Sequence, residues 1–461
     1  MSRRPLLVLL PLLLAWTLPP APSLPDPSPP AVPDVLDTTH RSGLRVLHAF
    51  RPGSGPVEVR LQWPLPPEAE PRKLAGVASV AMGLLRAGPK DDYDQEIALD
   101  LEARSPGWRI GVHDGWVELV FRCSPKHLEF VFRDLGRTLA DPWVEAMLVA
   151  SIANGRGQLL REEVQDDGAV ARRMWFRLML DDHPLGRSPH GTLGGLRNVS
   201  TDAVQEFLDR WITPSRGTLT VVGPVPPDEL RDGLTVLTGR WRGPPATGGD
   251  RPLSLPTGAS LVLLHRPGRV QSRVIAGFAA PPSTGEERRA QEVLADVLGT
   301  SLTGRLDRVL RVERGLTYGV GAWLWDHPGL TLLQVETSID HARTAEGIQA
   351  LMAEFASLSA TAPTPDELSR VRRAAQGGVA TALMTGSGVA RALATELTAG
   401  RDPAQLGRRL TEAAAVTPEQ VQAAAKALLR PGEIALVVVG DADTLEVPLT
   451  ALGIPVRVVG R

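Results

Sequence analysis

Cysteine, aromatic residues and net charge are scarce in this sequence. Its 461 residues include a single cysteine, Cys123, and aromatic residues make up only 4% of the chain. One cysteine cannot form an internal disulfide, and the apolar residues around it predict a small buried thiol. The formal net charge of -2 gives no reason to expect nucleic acid or an anionic membrane surface as a partner. The fractions of hydrophobic residues (43%) and charged residues (22%) are typical of a globular protein.

The sequence also lacks the common catalytic motifs. No two of its nine histidines stand three to five residues apart, so neither His-Glu-x-x-His nor His-x-x-Glu-His occurs. There is no Ser or Cys nucleophile motif and no phosphate-binding glycine loop. Glu162 and Glu163, with Asp166 and Asp167, form a carboxylate cluster that we interpret as the solvated face of a helix. Taken alone, the residues define no catalytic constellation.

The N-terminus has the pattern of a secretory signal. Arg3 and Arg4 precede an apolar run from Leu6 to Leu18, and small residues follow at 21–23. The run is too short for a comfortable membrane span, and no cysteine lies near it, which excludes a lipoprotein anchor. We therefore expect a secreted or periplasmic protein; an uncleaved N-terminal anchor is the alternative.

A weak internal repeat relates the two halves of the chain. The segment Asn198–Phe207 aligns without gaps with Ala415–Ala424, 217 residues later, and each is expected to begin a helix. At the same offset Pro214–Gly223 aligns with Pro431–Gly440, and each is expected to form the strand after that helix. A repeat of this length indicates a duplicated domain rather than a solenoid.

The order of predicted elements is the same in both halves: strand, turn, strand, two helices, two strands, long helices and a final strand. We predict an α+β fold with two homologous domains, each a mostly antiparallel sheet with helices packed on one face. The predicted divisions are a signal peptide (1–24), a Pro-rich linker (25–39), an N-terminal domain (40–242), a second linker (243–258) and a C-terminal domain (259–461).

One stretch of the second half combines a helix end with a strand start. The spacing predicts a helix over 303–314 that ends at Gly315, a residue suited to positive φ. A strand is then expected from Tyr318, one of only two tyrosines in the chain. Arg311 and Tyr318 lie seven residues apart on either side of this reversal, which can bring their side chains to one place.

Four stretches in this order resemble a known family, the pitrilysin/insulinase-type zinc peptidases, which include mitochondrial processing peptidase. They are Gly76–Gly88, His183–Thr192, His265–Ser272 and Leu310–Tyr318. The resemblance covers nearly all of residues 40–445 and corresponds to one two-domain half of such an enzyme. It rests on the order and spacing of the stretches together with the duplication.

The resemblance implies that the zinc motif of this family is degenerate here. Active members carry His-x-x-Glu-His on the first long helix and a further glutamate on a later helix. In this chain Ser79, Met82 and Gly83 stand at the His, Glu and His positions, and Glu162 or Glu163 stands where the later ligand is expected. Serine and glycine cannot replace imidazole ligands, methionine cannot act as a general base, and a lone carboxylate holds zinc poorly. No metal is therefore expected in this chain.

The Arg/Tyr pair of the family is present. Arg311 and Tyr318 match, at the correct spacing, residues that in family members bind the substrate backbone and the oxyanion across the chamber from the zinc. The resemblance therefore implies a non-zinc-binding subunit of a heteromeric peptidase acting on unfolded peptides. A sister subunit with an intact motif would carry the zinc.

Two alternatives stay open. The chain could be a catalytically inert scaffold or peptide-binding protein with the same fold, or an active zinc endopeptidase with unusual ligands. The sequence also leaves open whether the partner is a sister chain or a second copy.

Overall fold

The computed structural model describes residues 32–92, 96–181, 183–245, 258–300, 304–327 and 329–460. The predicted signal peptide and parts of both predicted linkers, 25–31 and 246–257, lie outside the described residues. Within the described residues, no helix has the length and apolarity needed to cross a membrane.

The first half contains a six-stranded sheet. Its order is β1-β2-β6-β3-β5-β4, and all neighbouring strands are antiparallel except the parallel pair β2 and β6. The strands are β1 (Leu36–Thr39), β2 (Arg45–Phe50), β3 (Val57–Pro64), β4 (Arg109–His113), β5 (Trp116–Cys123) and β6 (Thr218–Gly223).

The second half contains a sheet of the same size. Its order is β12-β7-β11-β8-β10-β9, with β12, β7 and β11 parallel to one another and the other pairs antiparallel. The strands are β7 (Ser260–His265), β8 (Gln271–Ala280), β9 (Thr317–His327), β10 (Leu330–Asp340), β11 (Ala435–Gly440) and β12 (Val456–Val459). The α+β class with two similar, mostly antiparallel sheets is confirmed.

Fifteen α-helices accompany the sheets in the described residues. In the first half they are α1 (Val77–Leu84), α2 (Glu96–Arg104), α3 (Leu128–Ala140), α4 (Ala146–Glu163), α5 (Asp167–Leu180), α6 (Leu193–Leu196), α7 (Thr201–Trp211) and α8 (Pro227–Leu237). In the second half they are α9 (Gly285–Ala295), α10 (Thr344–Ala360), α11 (Pro365–Leu383), α12 (Gly386–Thr398), α13 (Leu406–Ala414), α14 (Pro418–Leu428) and α15 (Ala442–Thr450).

The repeated helix starts have the caps that their sequences predict. The Ser200 hydroxyl accepts a hydrogen bond from the Ala203 N–H at the start of α7. Thr417 forms a reciprocal capping box with Gln420 at the start of α14, and Pro418 occupies the first helical position. In both halves the strand that follows, β6 or β11, lies in the middle of its sheet and is buried.

The structure adds detail to two local expectations. Leu36–Thr39, at the end of the predicted linker 25–39, pairs with β2 as an edge strand. The helix predicted over 303–314 is π-helical over Asp307–Glu313. Its turns are wider than those of an α-helix because backbone bonds span five residues, as from the Arg314 N–H to the Val309 carbonyl at 3.1 Å.

Each sheet packs its own helices on one face, which we call the inner face, while a helix of the other half covers part of the opposite, outer face. Helix α5 lies on the outer face of the second sheet, where Trp175 and Phe176 join Val262, Ile275 and Val437 in one buried cluster. Helix α12 lies on the outer face of the first sheet with Val389 and Leu393, as shown by its cluster with Leu47, Ala49 and Val222. The two halves thus exchange helices.

Candidate functional site

Helix α1 carries the three positions of the degenerate zinc motif. Ser79 and Met82 are fully buried, and the Ser79 hydroxyl has no hydrogen-bond partner in the described part of the chain. The helix packs against α4 and α7, so Met82 belongs to the core of the first half. Neither side chain is presented to a substrate, because both lie beneath the surface.

A cation occupies the space next to Gly83. A β-carbon added at Gly83 would lie 3.4 Å from Nη2 of Arg156 on α4 and 3.0 Å from Ile152. Burial lowers the pKa of Arg156, but a guanidinium keeps its charge at any ordinary pH. The charge of Arg156 therefore lies where an imidazole ligand would have to project, and it would repel a metal dication. Its role could not be read from the sequence, because only packing brings α4 to Gly83.

The two carboxylates at the end of α4 have different surroundings. Glu162 is exposed and accepts a hydrogen bond from Gln158 at 3.0 Å. Glu163 is half-buried, accepts the Ser188 hydroxyl at 3.1 Å and lies 3.7 Å from Nε2 of His190. The sequence motif 183–192 contained Ser188 and His190, but it gave no sign that they meet Glu163.

His190 completes this polar cluster. Burial lowers its pKa, the charge of Glu163 opposes this, and Arg156 and Arg173 lower the pKa further. Its Nδ1 has no hydrogen-bond partner among the described residues. A neutral imidazole is therefore favoured between a carboxylate and two cations.

Arg311 is anchored within the π-helical segment and still reaches the surface. Its Nε donates to Asp307 Oδ2 at 2.8 Å, and its Nη2 lies 2.7 Å from the same oxygen. Asp307 is buried, whereas 38% of the Arg311 side chain is exposed. The carboxylate fixes the guanidinium in one orientation and leaves donors available to solvent.

Tyr318 lies at the start of β9 and is 88% exposed. The turn between it and Arg311 is set by Gly315, whose φ of 59° favours glycine, and by a bond from the Leu316 N–H to the Leu310 carbonyl at 2.8 Å. In the described residues Tyr318 has no hydrogen-bond partner, and none joins it to Arg311. The side chains of Arg311 and Tyr318 therefore both reach solvent, one before and one after the turn, and each can donate hydrogen bonds independently of the other.

Known proteins share both the sequence pattern and the fold. Residues 198–375 match the family model described as Peptidase M16 inactive domain. An uncharacterized zinc protease of Mycobacterium bovis is 26% identical over 413 residues, which is 85% of this chain and 90% of the relative. The corresponding protein of Mycobacterium leprae is 29% identical over 263 residues, 56% of this chain and 58% of that relative.

A solved structure shares the fold. The peptidase M16 inactive domain from Pseudomonas fluorescens has a TM-score of 0.81 at 17% identity and covers 88% of this chain and 98% of its own. The chain is similar to M16 peptidases: residues 198–375 match the inactive-domain model, and the fold is shared with a solved M16 inactive domain. This is the family that the sequence motifs indicated.

The start of α1, just before the degenerate motif, is held by hydrogen bonds and close backbone packing. Glu70 Oε1 accepts the N–H groups of Gly76 and Ala78 at the start of α1, at 3.0 and 3.2 Å. Burial raises the pKa of Glu70, and these two donors oppose the rise. At Gly191, where φ is 91°, an added β-carbon would lie 2.3 Å from the Ala75 carbonyl oxygen. The stretch 183–192 thus packs directly on the start of α1.

The residues do not fit a zinc ion. Within the described residues, the one group of three donors with ligand spacing is His265, Asp441 and Asp443, in the second half. His265 Nδ1 accepts the Ala442 N–H at 3.1 Å, and Asp441 accepts the Asp443 N–H, so these side chains cap α15. In the first half Arg156 stands beside Gly83 instead of a ligand. The positions of the degenerate motif therefore supply no imidazole ligand for zinc.

Proposed function

We propose that the chain is the non-catalytic subunit of a heteromeric M16 zinc peptidase. The observation that carries this proposal is the contrast between the two sites. Helix α1 is filled by Ser79 and Met82 with the Arg156 guanidinium beside Gly83, whereas Arg311 and Tyr318 reach solvent. A sister subunit with an intact His-x-x-Glu-His helix supplies zinc, the general base and the water.

Arg311 and Tyr318 then bind the substrate and its transition state. A guanidinium provides directed donors and a fixed charge, and a phenol provides one further donor. Asp307 holds the guanidinium in place before the substrate arrives. A donor aimed at a developing oxyanion contributes about 3 kcal/mol, or roughly a hundredfold in rate.

Unfolded peptides are the substrate class that the sheet edges favour. In the described residues β4 and β9 each pair with one neighbour only, so each leaves a row of backbone groups open. An extended peptide can add to such an edge through main-chain hydrogen bonds. Tyr318 stands at the first residues of β9, beside this edge.

Reconstitution tests the proposal. The chain is mixed with a zinc-motif M16 sister, and cleavage of an unstructured peptide is measured. We expect no cleavage by this chain alone, and a loss of about a hundredfold in kcat/KM of the complex for Arg311→Ala and for Tyr318→Phe. The matched control is Arg308→Ala, which removes a neighbouring exposed arginine that pairs with Glu313. If the complex cleaves equally well with all three variants, the role assigned to the pair is wrong.

The same experiment separates the alternatives. An inert scaffold or peptide-binding protein would bind the peptide without supporting cleavage by any sister chain. An active enzyme with unusual ligands would contain stoichiometric zinc in the purified lone chain. Metal analysis of that chain decides the second alternative.

The compartment is a separate part of the proposal. The basic start and apolar run at the N-terminus support export to the periplasm or the medium. Fractionation with N-terminal sequencing of the mature chain tests it, and an intact Met1 in the cytoplasmic fraction would contradict it.

A further inference from the structure

Two cavities lie beside helix α12: the smaller one between the helix and the outer face of the first sheet, and the larger one between the C-terminal end of the helix, the first sheet and the segment 183–189. The smaller one, about 250 Å³, is lined by Arg60, Arg109, Glu118 and Arg391. The larger one, about 440 Å³, is lined by residues that include Gln62, Trp63 and Leu397. Trp116 and Thr398 line both, so the two spaces adjoin; we call them the joined cavities.

The smaller cavity carries excess positive charge. Arg60 is buried and donates to Glu118 at 2.7 Å, which neutralises one of the three arginines. Arg109 and Arg391 are exposed, and the described residues place no carboxylate within ion-pair distance of either. The other charged groups nearby, Glu58 and Arg122, pair with each other at 3.0 Å. Two positive charges therefore remain uncompensated.

The arginines act on one another across this space. Burial lowers the pKa of Arg60, Glu118 opposes this, and the charges of Arg109 and Arg391 lower it further. Arg109 comes from the edge strand β4 and Arg391 from α12 of the other half, so the cluster exists only when the two halves are assembled. An anion between them would relieve this repulsion.

The larger cavity offers an apolar wall and an unsatisfied amide. Trp116 stacks on His113 with ring centroids 3.8 Å apart, and Leu397 extends the apolar lining. Gln62 is 4% exposed, and neither its amide oxygen nor its nitrogen has a hydrogen-bond partner in the described residues. Buried polar groups without partners are costly, so a ligand that bonds this amide gains from it.

We propose that the joined cavities bind an organic carboxylate that carries an adjoining apolar group, with the carboxylate between Arg109 and Arg391 and the apolar group against Trp116. Guanidinium forks match the planar geometry of a carboxylate. The larger cavity falls in the usual range of small-molecule sites, about 300–1,000 Å³. The free C-terminus of a peptide ending in an apolar residue has this chemistry, and so has a small aryl carboxylic acid.

Calorimetric titration of the full chain tests the proposal with paired probes. The first pair is N-acetyl-phenylalanine and its amide; the second is an unstructured peptide ending in phenylalanine, with a free or an amidated C-terminus. We expect each free acid to bind at least tenfold more tightly than its amide. Equal binding of acid and amide in both pairs would overturn the proposal.

The probes also distinguish the two sources of the carboxylate. Tighter binding of the free peptide than of N-acetyl-phenylalanine assigns the site to peptide ends, and the reverse order assigns it to small acids. Displacement of both by an equal concentration of inorganic phosphate would overturn the requirement for an apolar group.

Variants locate the binding. Arg109→Gln and Arg391→Gln change exposed side chains, so the fold is expected to persist, and each should weaken binding of the free acid at least tenfold. The matched control is Arg240→Gln, an exposed arginine of the first half outside the cavity lining. Equal affinity in all three variants would place binding elsewhere. Because Arg311 and Tyr318 are not involved, this result is independent of the cleavage experiment.

Discussion

The outer faces of the two sheets are covered in the same way but filled differently. On the second sheet α5 inserts large side chains, and Trp175 Nε1 donates to the Ala435 carbonyl at 3.1 Å. On the first sheet α12 inserts smaller ones, Val389, Ala390 and Leu393, and the joined cavities remain beside them. The same architecture therefore gives an interface packed by aromatic side chains on the second sheet and smaller side chains beside the joined cavities on the first.

The charges on the two faces show the same contrast. In each sheet a buried glutamate of the penultimate strand stands opposite a glycine of the edge strand: Glu118 opposite Gly111, and Glu336 opposite Gly321. Glu336 pairs with Arg273 of its own sheet and also with Arg172, which comes from α5 of the other half, at 3.2 Å. Glu118 pairs with Arg60 of its own sheet, and within the described residues no carboxylate lies within ion-pair distance of Arg391 of α12. Helix α5 is thus joined to the second sheet by an ion pair, whereas Arg391 of α12 has no ion-pair partner among the described residues.

The largest expected effect on stability comes from removing an aromatic side chain between α5 and the second sheet. Trp175→Ala should lower the free energy of unfolding by about 3–5 kcal/mol, since it deletes a fully buried indole. The measurement is urea unfolding followed by alkylation of Cys123, a buried thiol whose pKa burial raises to about 12. Because Cys123 lies in the first sheet, its alkylation at a lower urea concentration in Trp175→Ala would show that the first half also depends on the packing of α5. The control is Arg177→Ala on the exposed side of α5.

A smaller loss of stability is expected from replacing Glu336, whose carboxylate joins the second sheet to α5. Glu336→Gln should cost about 1.5–3 kcal/mol, because Arg172 and Arg273 both lose the charge of a buried partner. Urea unfolding with intrinsic tryptophan fluorescence measures it. Arg172→Gln, which removes the half-exposed partner, should cost less. An equal loss of stability in Glu336→Gln and Arg172→Gln would contradict the view that burial of Glu336 makes its replacement the costlier of the two.

Acid should weaken the first half. Burial lowers the pKa of His48, and a hydrogen bond from its ring to the backbone of Val225 opposes this only in part. The unfolded chain then takes up a proton first, near its ordinary pKa of about 6.5, so the stabilisation is complete above that pH and is lost as the pH falls below it. The loss is about 1.4 kcal/mol for each unit by which the pKa is lowered. His40 and His190 act in the same direction.

His48→Gln isolates this contribution. The difference in urea midpoint between about pH 7.5 and about pH 5 should shrink in the variant, since one of the shifted histidines is gone. His127→Gln, a partly exposed residue, is the control. An unchanged pH dependence in His48→Gln would exclude His48 as a source of acid sensitivity.

The smallest expected effect tests the open site directly. Arg391→Gln should change the free energy of unfolding by less than about 0.5 kcal/mol, because an exposed cation without a carboxylate partner contributes little to folding. Urea unfolding again measures it. A loss comparable to that of Glu336→Gln would mean that Arg391 ties α12 to the sheet as Arg172 ties α5, and the contrast between the faces would disappear.

Local patterns predicted most of the elements. Alternating apolar residues gave β3, β5, β8 and β10, and helix caps such as Ser200 and Thr417 were readable because they depend on residues three positions apart. The π-helical turns before Gly315 were missed, since no side-chain period distinguishes them from an α-helix. β1 was missed because four exposed residues after a Pro-rich stretch show no alternation of burial.

The candidate site was only half readable. The absence of zinc ligands at Ser79, Met82 and Gly83 and the presence of Arg311 and Tyr318 follow from residue types and spacing. The proximity of Arg156 to Gly83, of Ser188 to Glu163 and of α12 to the first sheet depends on tertiary packing between distant segments. Sequence periodicity shows that a helix has an apolar face, but it does not show which sheet that face meets.

The exchange of α5 and α12 has a consequence for the origin of the duplicated chain. A single copy of the half would leave one apolar sheet face bare and one apolar helix without a site. Two identical copies would satisfy both by swapping helices around a two-fold axis, as in a domain-swapped homodimer. Fusion of two such genes would preserve this arrangement in one polypeptide. Afterwards each copy could change its covering helix independently. This would account for the aromatic side chains of α5 on the second sheet and the arginine-lined cavity beside α12 on the first.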